Sequence, residues 1–178
     1  MSSVVIITWV SWSGKTTIAD NLISTWKFHK PINFSTRASR HDWEKDDYVF
    51  ITKCQFESKI RNGDFCQFTF YNGNYYGISK HSFNPKLNYV TILEPVGLAM
   101  MEKYLKLNNI CFKKIFIDIS EVTAIERLSE RGDSEKQIKE RLQDFKYFEP
   151  SIDSVVINWE KEIDEVMKEV ITTIGFTI

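Results

Sequence analysis

Apolar positions along this chain follow two rhythms. Short runs of β-branched and aliphatic residues occur at 4–8 (VVIIT), 89–93 (YVTIL), 114–119 (KIFIDI) and 155–158 (VVIN). Such unbroken runs suit strands buried on both faces of a parallel sheet. Between them the spacing changes to that of amphipathic helices. Ala19, Leu22, Ile23 and Trp26 recur at helical intervals from near Lys15, and 97–107 and 121–131 read the same way. Ile163, Val166, Met167, Val170, Ile171 and Ile174 mark a final helix with one apolar stripe. Strands alternating with helices of this length predict an α/β fold, a parallel core sheet flanked by helices.

The stretch 33–83 breaks that alternation. It has short segments, the turn sequences Asn62-Gly63-Asp64 and Asn72-Gly73-Asn74, and a high density of aromatics. We read it as a small inserted subdomain. Aromatics interleaved with lysines could form a stacking platform for single-stranded nucleic acid, but that also needs a basic groove. Residues 41–83 hold five Lys/Arg against six Asp/Glu, so the electrostatic half of such a site is missing.

Composition narrows the classes further. A chain of 178 residues with 43% hydrophobic content can bury one core. With 23 Lys plus Arg against 24 Asp plus Glu, no overall field draws it to nucleic acid or to an anionic membrane. Cys54, Cys66 and Cys111 lack CxxC spacing, which argues against a zinc site or a disulfide framework and for reduced core thiols in a cytoplasmic protein. No apolar run approaches the roughly 18 residues of a membrane span. The N-terminal apolar run has no basic residue before it and meets Gly-Lys at once, which reads as a core strand and not a signal peptide.

The chemistry begins where the first strand meets the first helix. There the sequence WVSWSGKTT, residues 9–17, closes in Gly14-Lys15-Thr16. In a loop of this kind backbone N–H groups surround a phosphate at the positive end of a helix dipole. Gly14 lets the backbone approach, Lys15 neutralises the β/γ oxygens and the Thr16 hydroxyl can ligate Mg²⁺. Ser11, Trp12, Ser13, Gly14, Lys15, Thr16 and Thr17 are therefore the expected ATP-binding set. The strict pattern opens with glycine at position 9, where this chain has Trp9. A positive φ there would cost about 1–2 kcal/mol or more, so the loop is expected to be reshaped.

Further segments follow in order: FSTRASR (34–40), DDYVF (46–50), NGDF (62–65), GNYYG (73–77) and RGDSEKQIKERL (131–142). Together with the loop they resemble the guanylate kinase family of nucleoside monophosphate kinases across nearly the whole chain. The resemblance implies a core (1–32, 84–126 and 143–178), a monophosphate-binding subdomain (33–83) and a short lid (127–142). It also implies transfer of the ATP γ-phosphoryl group to a nucleoside monophosphate, with Mg²⁺ as cofactor. Arg37, Arg40, Tyr48 and Tyr76 stand where the family grips the acceptor phosphate, and Arg131 and Arg141 where lid arginines close over the transferred group.

These residue types fit the task. Phosphoryl transfer needs in-line positioning and cations around charged oxygens, and no side-chain nucleophile. Arg37 and Arg40 can each bind phosphate bidentately, while tyrosine hydroxyls donate without adding charge. Glu94 ends an apolar strand at the carboxyl edge of the expected sheet, facing the base, the acceptor or magnesium-bound water. Asp118 is the rival carboxylate.

Base recognition departs from the family pattern. Gln67 stands where the resemblance implies a glutamate accepting from guanine, and Ile78 where it implies a hydroxyl reaching guanine O6, with Ser79 next. An amide both accepts and donates, which suits adenine, uracil, thymine or cytosine as well. GMP or dGMP is the first expectation for the acceptor. The alternatives are a same-fold kinase for dUMP, dTMP or dAMP, a kinase for a phosphorylated sugar, and a non-catalytic interaction module with a guanylate-kinase-like fold.

Overall fold

The computed structural model describes residues 3–9, 14–39, 45, 47–71, 73–130, 132–142, 149–151 and 153–175. Among these residues the core sheet has four parallel strands: β1 (Ser3–Trp9), β6 (Tyr89–Ile92), β7 (Cys111–Asp118) and β8 (Val155–Asn158), in the order β6-β1-β7-β8. Strand β7 starts three residues before the apolar run that predicted it. Strand β1 pairs with β6 through Val5 and Val90 and with β7 through Val5 and Lys113, so it is central.

Side chains alternate across a pleated strand, and β1 uses both of its faces. Val5 and Ile7 enter one core cluster with Ile18, Ala19 and Leu22 of α1 (Lys15–Trp26) and Val166, Val170 and Ile171 of α6 (Ile163–Ile174). Ala124 of α4 (Glu121–Glu130) joins it. Val4 and Ile6 enter the opposite cluster with Leu98, Met101 and Leu105 of α3 (Pro95–Leu107). Each fully buried aliphatic side chain contributes about 1.5–3 kcal/mol, which is why the unbroken apolar run fixes the sheet's centre.

A second sheet carries β2 (Asn33–Ser35), β3 (Tyr48–Phe50), β4 (Phe65–Tyr71) and β5 (Asn74–Ser79) in the order β3-β2-β5-β4. β4 and β5 form an antiparallel hairpin, whereas β2 and β3 run parallel. Helix α2 (Lys53–Arg61) begins in a capping box of Thr52 and Gln55, and its Phe56 stacks on Phe65 at 4.5 Å and Tyr75 at 5.1 Å. The aromatic density of this stretch is thus the packing between helix and sheet. Helix α5 (Glu135–Leu142) is capped in a similar way, Ser134 N–H donating to Gln137 Oε1 at 2.9 Å. No described helix is long and apolar enough to cross a membrane.

The thiol expectation needs correction. Cys66 is buried and donates to the Ile78 carbonyl at 3.1 Å, and burial pushes its thiol up to about 12. Cys54 and Cys111 are exposed, at the start of α2 and on the first residue of β7, so they are not core thiols. All three are free.

On the α3 side of the sheet Lys114, with only 5% of its side chain exposed, meets Glu102 at 2.7 Å, and Lys106 reaches the same carboxylate at 3.3 Å. Burial alone would raise the Glu102 carboxyl, but the two lysines outweigh it and hold it below its ordinary 4.5. Removing one partner of a buried pair strands the other charge. Glu102→Ala is expected to lower stability by about 2 kcal/mol, because Glu102 keeps some solvent contact and Lys114 would retain exposed Asp153 at 3.8 Å. Lys114→Met should cost less, since Glu102 retains Lys106. A depressed carboxylate contributes its stability in full above its unfolded value and loses it as pH falls through the lower folded value. The gap in urea midpoint between wild type and Glu102→Ala should therefore close below pH 4.5, and equal midpoints at pH 7 would refute the pair's role.

Candidate active site

Helix α1 starts immediately after the Gly-Lys junction, and its N-terminus is electrostatically open. Gly14 is the N-cap with φ 79°, no side chain caps the first turn, and no acidic residue lies in that turn. The free N–H groups and the helix dipole leave this end suited to an anion. Ile18 N–H donates to the Gly14 carbonyl at 3.3 Å, which sets the helix start. Thr16 is exposed one residue into the helix. Ser11, Trp12 and Ser13 lie outside the described residues, as do Arg40 and Arg131; for Trp9, Lys15 and Arg141 the backbone alone is described.

Gly14 is held from behind by a residue that the sequence pattern did not single out. A Cβ on Gly14 would lie 2.1 Å from Cζ3 of Trp159, so the indole occupies the space a side chain would need. The Arg127 guanidinium lies 4.9 Å from the Trp159 ring centre, and Nη2 donates to the Trp159 carbonyl at 3.1 Å. A signal for Trp159 was present: it directly follows the strand VVIN, at the carboxyl edge where parallel sheets place their ligands.

The second sheet brings several expected acceptor-side residues together. Arg37 Cζ sits 5.1 Å from the Tyr48 ring and 5.2 Å from the Phe50 ring, which orients the guanidinium at β2's end. Tyr76 pairs in register with Ser35, two residues from Arg37. Thr16 and Tyr48 line one cavity of about 150 Å³ with Asp20, Lys30, Asp47 and Thr91. At its rim Lys30 reaches Asp47 at 2.6 Å and Asp20 at 3.3 Å, joining α1 to the approach of β3. Burial would lower the Lys30 ammonium, but the two carboxylates outweigh it and hold it above its ordinary value. A larger cavity of about 540 Å³ lies between α3 and the sheet, lined by Leu98, Leu107 and Phe116, on the opposite side of the sheet from α1.

Two buried oxygens in this region lack donors. Gln67, only 3% exposed, leaves Oε1 without a hydrogen-bond partner, and Glu94 Oε1 is buried in the same state. Both flank the first turn of α3: Glu94 is its N-cap, and a Cβ on Gly97 would lie 3.0 Å from Gln67 Oε1. Glycine at 97 is what lets the amide approach the helix. A buried acceptor without a donor costs about 1–3 kcal/mol, so its retention points to a ligand that donates. Asp118 is half-buried at the end of β7, where its carbonyl accepts from Trp159 N–H at 2.9 Å. Ile78 is fully buried with Val4, Ile6 and Met101, and has no polar group to offer a base.

An uncapped helix start at the carboxyl edge of a parallel sheet, with a second small sheet beside it, defines a phosphate-loop kinase fold. Comparison with known proteins specifies which. The sequence matches the guanylate kinase family over residues 1–175, and this chain belongs to that family of nucleoside monophosphate kinases. It is 29% identical to the guanylate kinase of Fusobacterium nucleatum over 98% of this chain and 96% of that protein. It is likewise 29% identical to the guanylate kinase of Chlorobium chlorochromatii, over 93% and 92%. The crystal structure of guanylate kinase from Anaplasma phagocytophilum superposes with a TM-score of 0.67 at 18% identity, covering 96% of this chain and 83% of that one, which shows the shared fold.

Proposed function

We propose that this protein is an ATP-dependent kinase that converts GMP and dGMP to their diphosphates. The observation that carries the reading is the pair of unpaired buried acceptors beside the first turn of α3, Gln67 Oε1 from β4 and Glu94 Oε1 from the helix N-cap. Guanine offers N–H donors on its Watson–Crick edge and its 2-amino group, so it can satisfy both oxygens. Family membership and relatives named guanylate kinase support the same substrate.

On this reading residues 33–83 hold the monophosphate, 127–142 form the lid and the remaining segments form the core. The amides of 11–17 enclose the donor phosphates, and Lys15 neutralises them. Arg37, Arg40, Tyr48 and Tyr76 hold the acceptor phosphate, with Arg37 preset by its two rings. Arg131 and Arg141 close from the lid, neutralise the transferred group and exclude water. The donor chemistry fits Mg²⁺, a hard cation that takes oxygen ligands: Thr16 offers an exposed hydroxyl at the helix start. Mg²⁺ commonly keeps waters and substrate phosphates as ligands, and when bound here it would neutralise phosphate charge. Nucleotide substrates and free thiols suit a cytoplasmic enzyme.

ADP release with ATP, Mg²⁺ and a panel of ribo- and deoxymonophosphates tests the proposal. Turnover is expected with GMP and dGMP. Inert GMP and dGMP beside active dUMP, dTMP or dAMP would overturn it, and ATP binding without any turnover would indicate an interaction module. Gln67→Leu removes one acceptor and is expected to raise the KM for GMP about 10–100-fold with the KM for ATP unchanged. Gln67→Glu should lower it, since a carboxylate accepts twice.

A further inference from the structure

We infer that Trp159 is a positioning residue for the donor phosphates, acting through Gly14. The inference rests on the phosphate-loop reading above and adds a residue from the far end of the chain. Trp159 is the first residue after β8, and its N–H donates to the Asp118 carbonyl at 2.9 Å, which anchors it between the ends of β7 and β8. Only 8% exposed, it belongs to the cluster that packs α1 and α6 on the sheet. Its six-membered ring faces Gly14: a Cβ there would meet Cζ3, Cη2 and Cε3 at 2.1, 2.5 and 2.8 Å. The indole is therefore a fixed wall against Gly14, held at φ 79°.

Further contacts tie that wall to α4. Arg127 of α4 lies against the ring and donates to the Trp159 carbonyl. The next residue, Glu160, accepts from Ser120 N–H at 2.6 Å and from Thr123 Oγ1 at 2.5 Å, and so binds the start of the same helix. Trp159 and Glu160 together join the phosphate loop to the helix that leads toward Arg131. The segment has Trp9 where glycine is usual, and Gly14 closes it against the indole. A displacement of about 1 Å at a reacting group can cost a hundredfold in rate, so a wall that fixes Gly14 bears directly on donor alignment.

The test uses the full chain with ATP, Mg²⁺ and GMP. Trp159→Ala is expected to raise the KM for ATP about tenfold and leave the KM for GMP within about twofold, with Trp159→Phe in between. A purely structural role would move both constants together with the urea midpoint, and that result, or unchanged constants, would overturn the inference. Should Trp159→Ala not fold, titration calorimetry of Trp159→Phe decides. ADP affinity is then expected to weaken about threefold at unchanged GMP affinity, and equal ADP affinity would overturn it. Absence of GMP turnover in wild type would sink the functional reading, while the ADP titration still judges Trp159.

Discussion

Gly14→Ala is expected to lower folding stability by about 2–5 kcal/mol and turnover about a hundredfold or more. Two separate costs meet at this position. A left-handed backbone places Cβ against the following carbonyl, which costs roughly 1–2 kcal/mol for any L-residue. The added methyl would also enter the Trp159 ring at 2.1 Å, and neither partner can move freely: one is the helix N-cap, the other is packed in the core. Overpacking of that kind costs typically 1–3 kcal/mol more. Gly73, with φ 78° and nothing within 4 Å, is the control. Gly73→Ala pays only the backbone strain, about 1–2 kcal/mol, and should leave ATP handling unchanged. Urea midpoints and initial rates of both variants separate the two costs. If Gly14→Ala proved no worse than Gly73→Ala, the packing of loop on indole would not matter.

The core was legible because its signals are local. Four apolar runs became the four strands of a parallel sheet, and the stripe from Ile163 to Ile174 became α6, since buried strands and amphipathic helices write their burial into adjacent residues. The limits were less exact. Helix α3 starts at Pro95, two residues before its apolar spacing, because proline at the first helical position sacrifices no hydrogen bond. Strand β7 runs back to exposed Cys111, which pairs with Ser3, although Lys113 and Lys114 interrupt the apolar run there. The parallel pairing of β2 with β3 left no trace in the pattern, since three-residue strands are too short to show a period.

At the site, what could be read was what sits in a contiguous motif. Gly14, Thr16, Arg37 and Tyr48 were named from their segments. Trp159 and Arg127 were not: the place of Trp159 after VVIN marks the sheet's carboxyl edge, but its contacts with Gly14 and Arg127 span 145 and 32 residues of chain, and no local spacing encodes those partners. The exposure of Cys54 and Cys111 shows the converse error. Cysteine is usually buried, but here a helix start and a strand's first residue override that tendency.

Lys15→Ala is expected to lower kcat/KM for GMP phosphorylation roughly a thousandfold while leaving stability unchanged or slightly higher. The opposite signs follow from where Lys15 stands. It is the first residue of α1, a helix without a side-chain cap or an acidic residue in its first turn. A cation at the positive end of a helix dipole is unfavourable by about 0.3–1 kcal/mol at an exposed position. Alanine also has the higher helix propensity. Folding alone would therefore select against lysine here, and its presence is explained by an anion that binds at that end. On the proposed function the same charge faces the phosphate oxygens of bound nucleotide where water is excluded, and one such contact is worth about 10²–10³ in rate. Arginine should not restore activity, because its planar fork cannot occupy the place of a compact ammonium. ADP should raise the melting temperature of wild type and fail to do so for Lys15→Ala. An active Lys15→Ala, or one that loses stability and activity together, would mean that this end of α1 holds no phosphate.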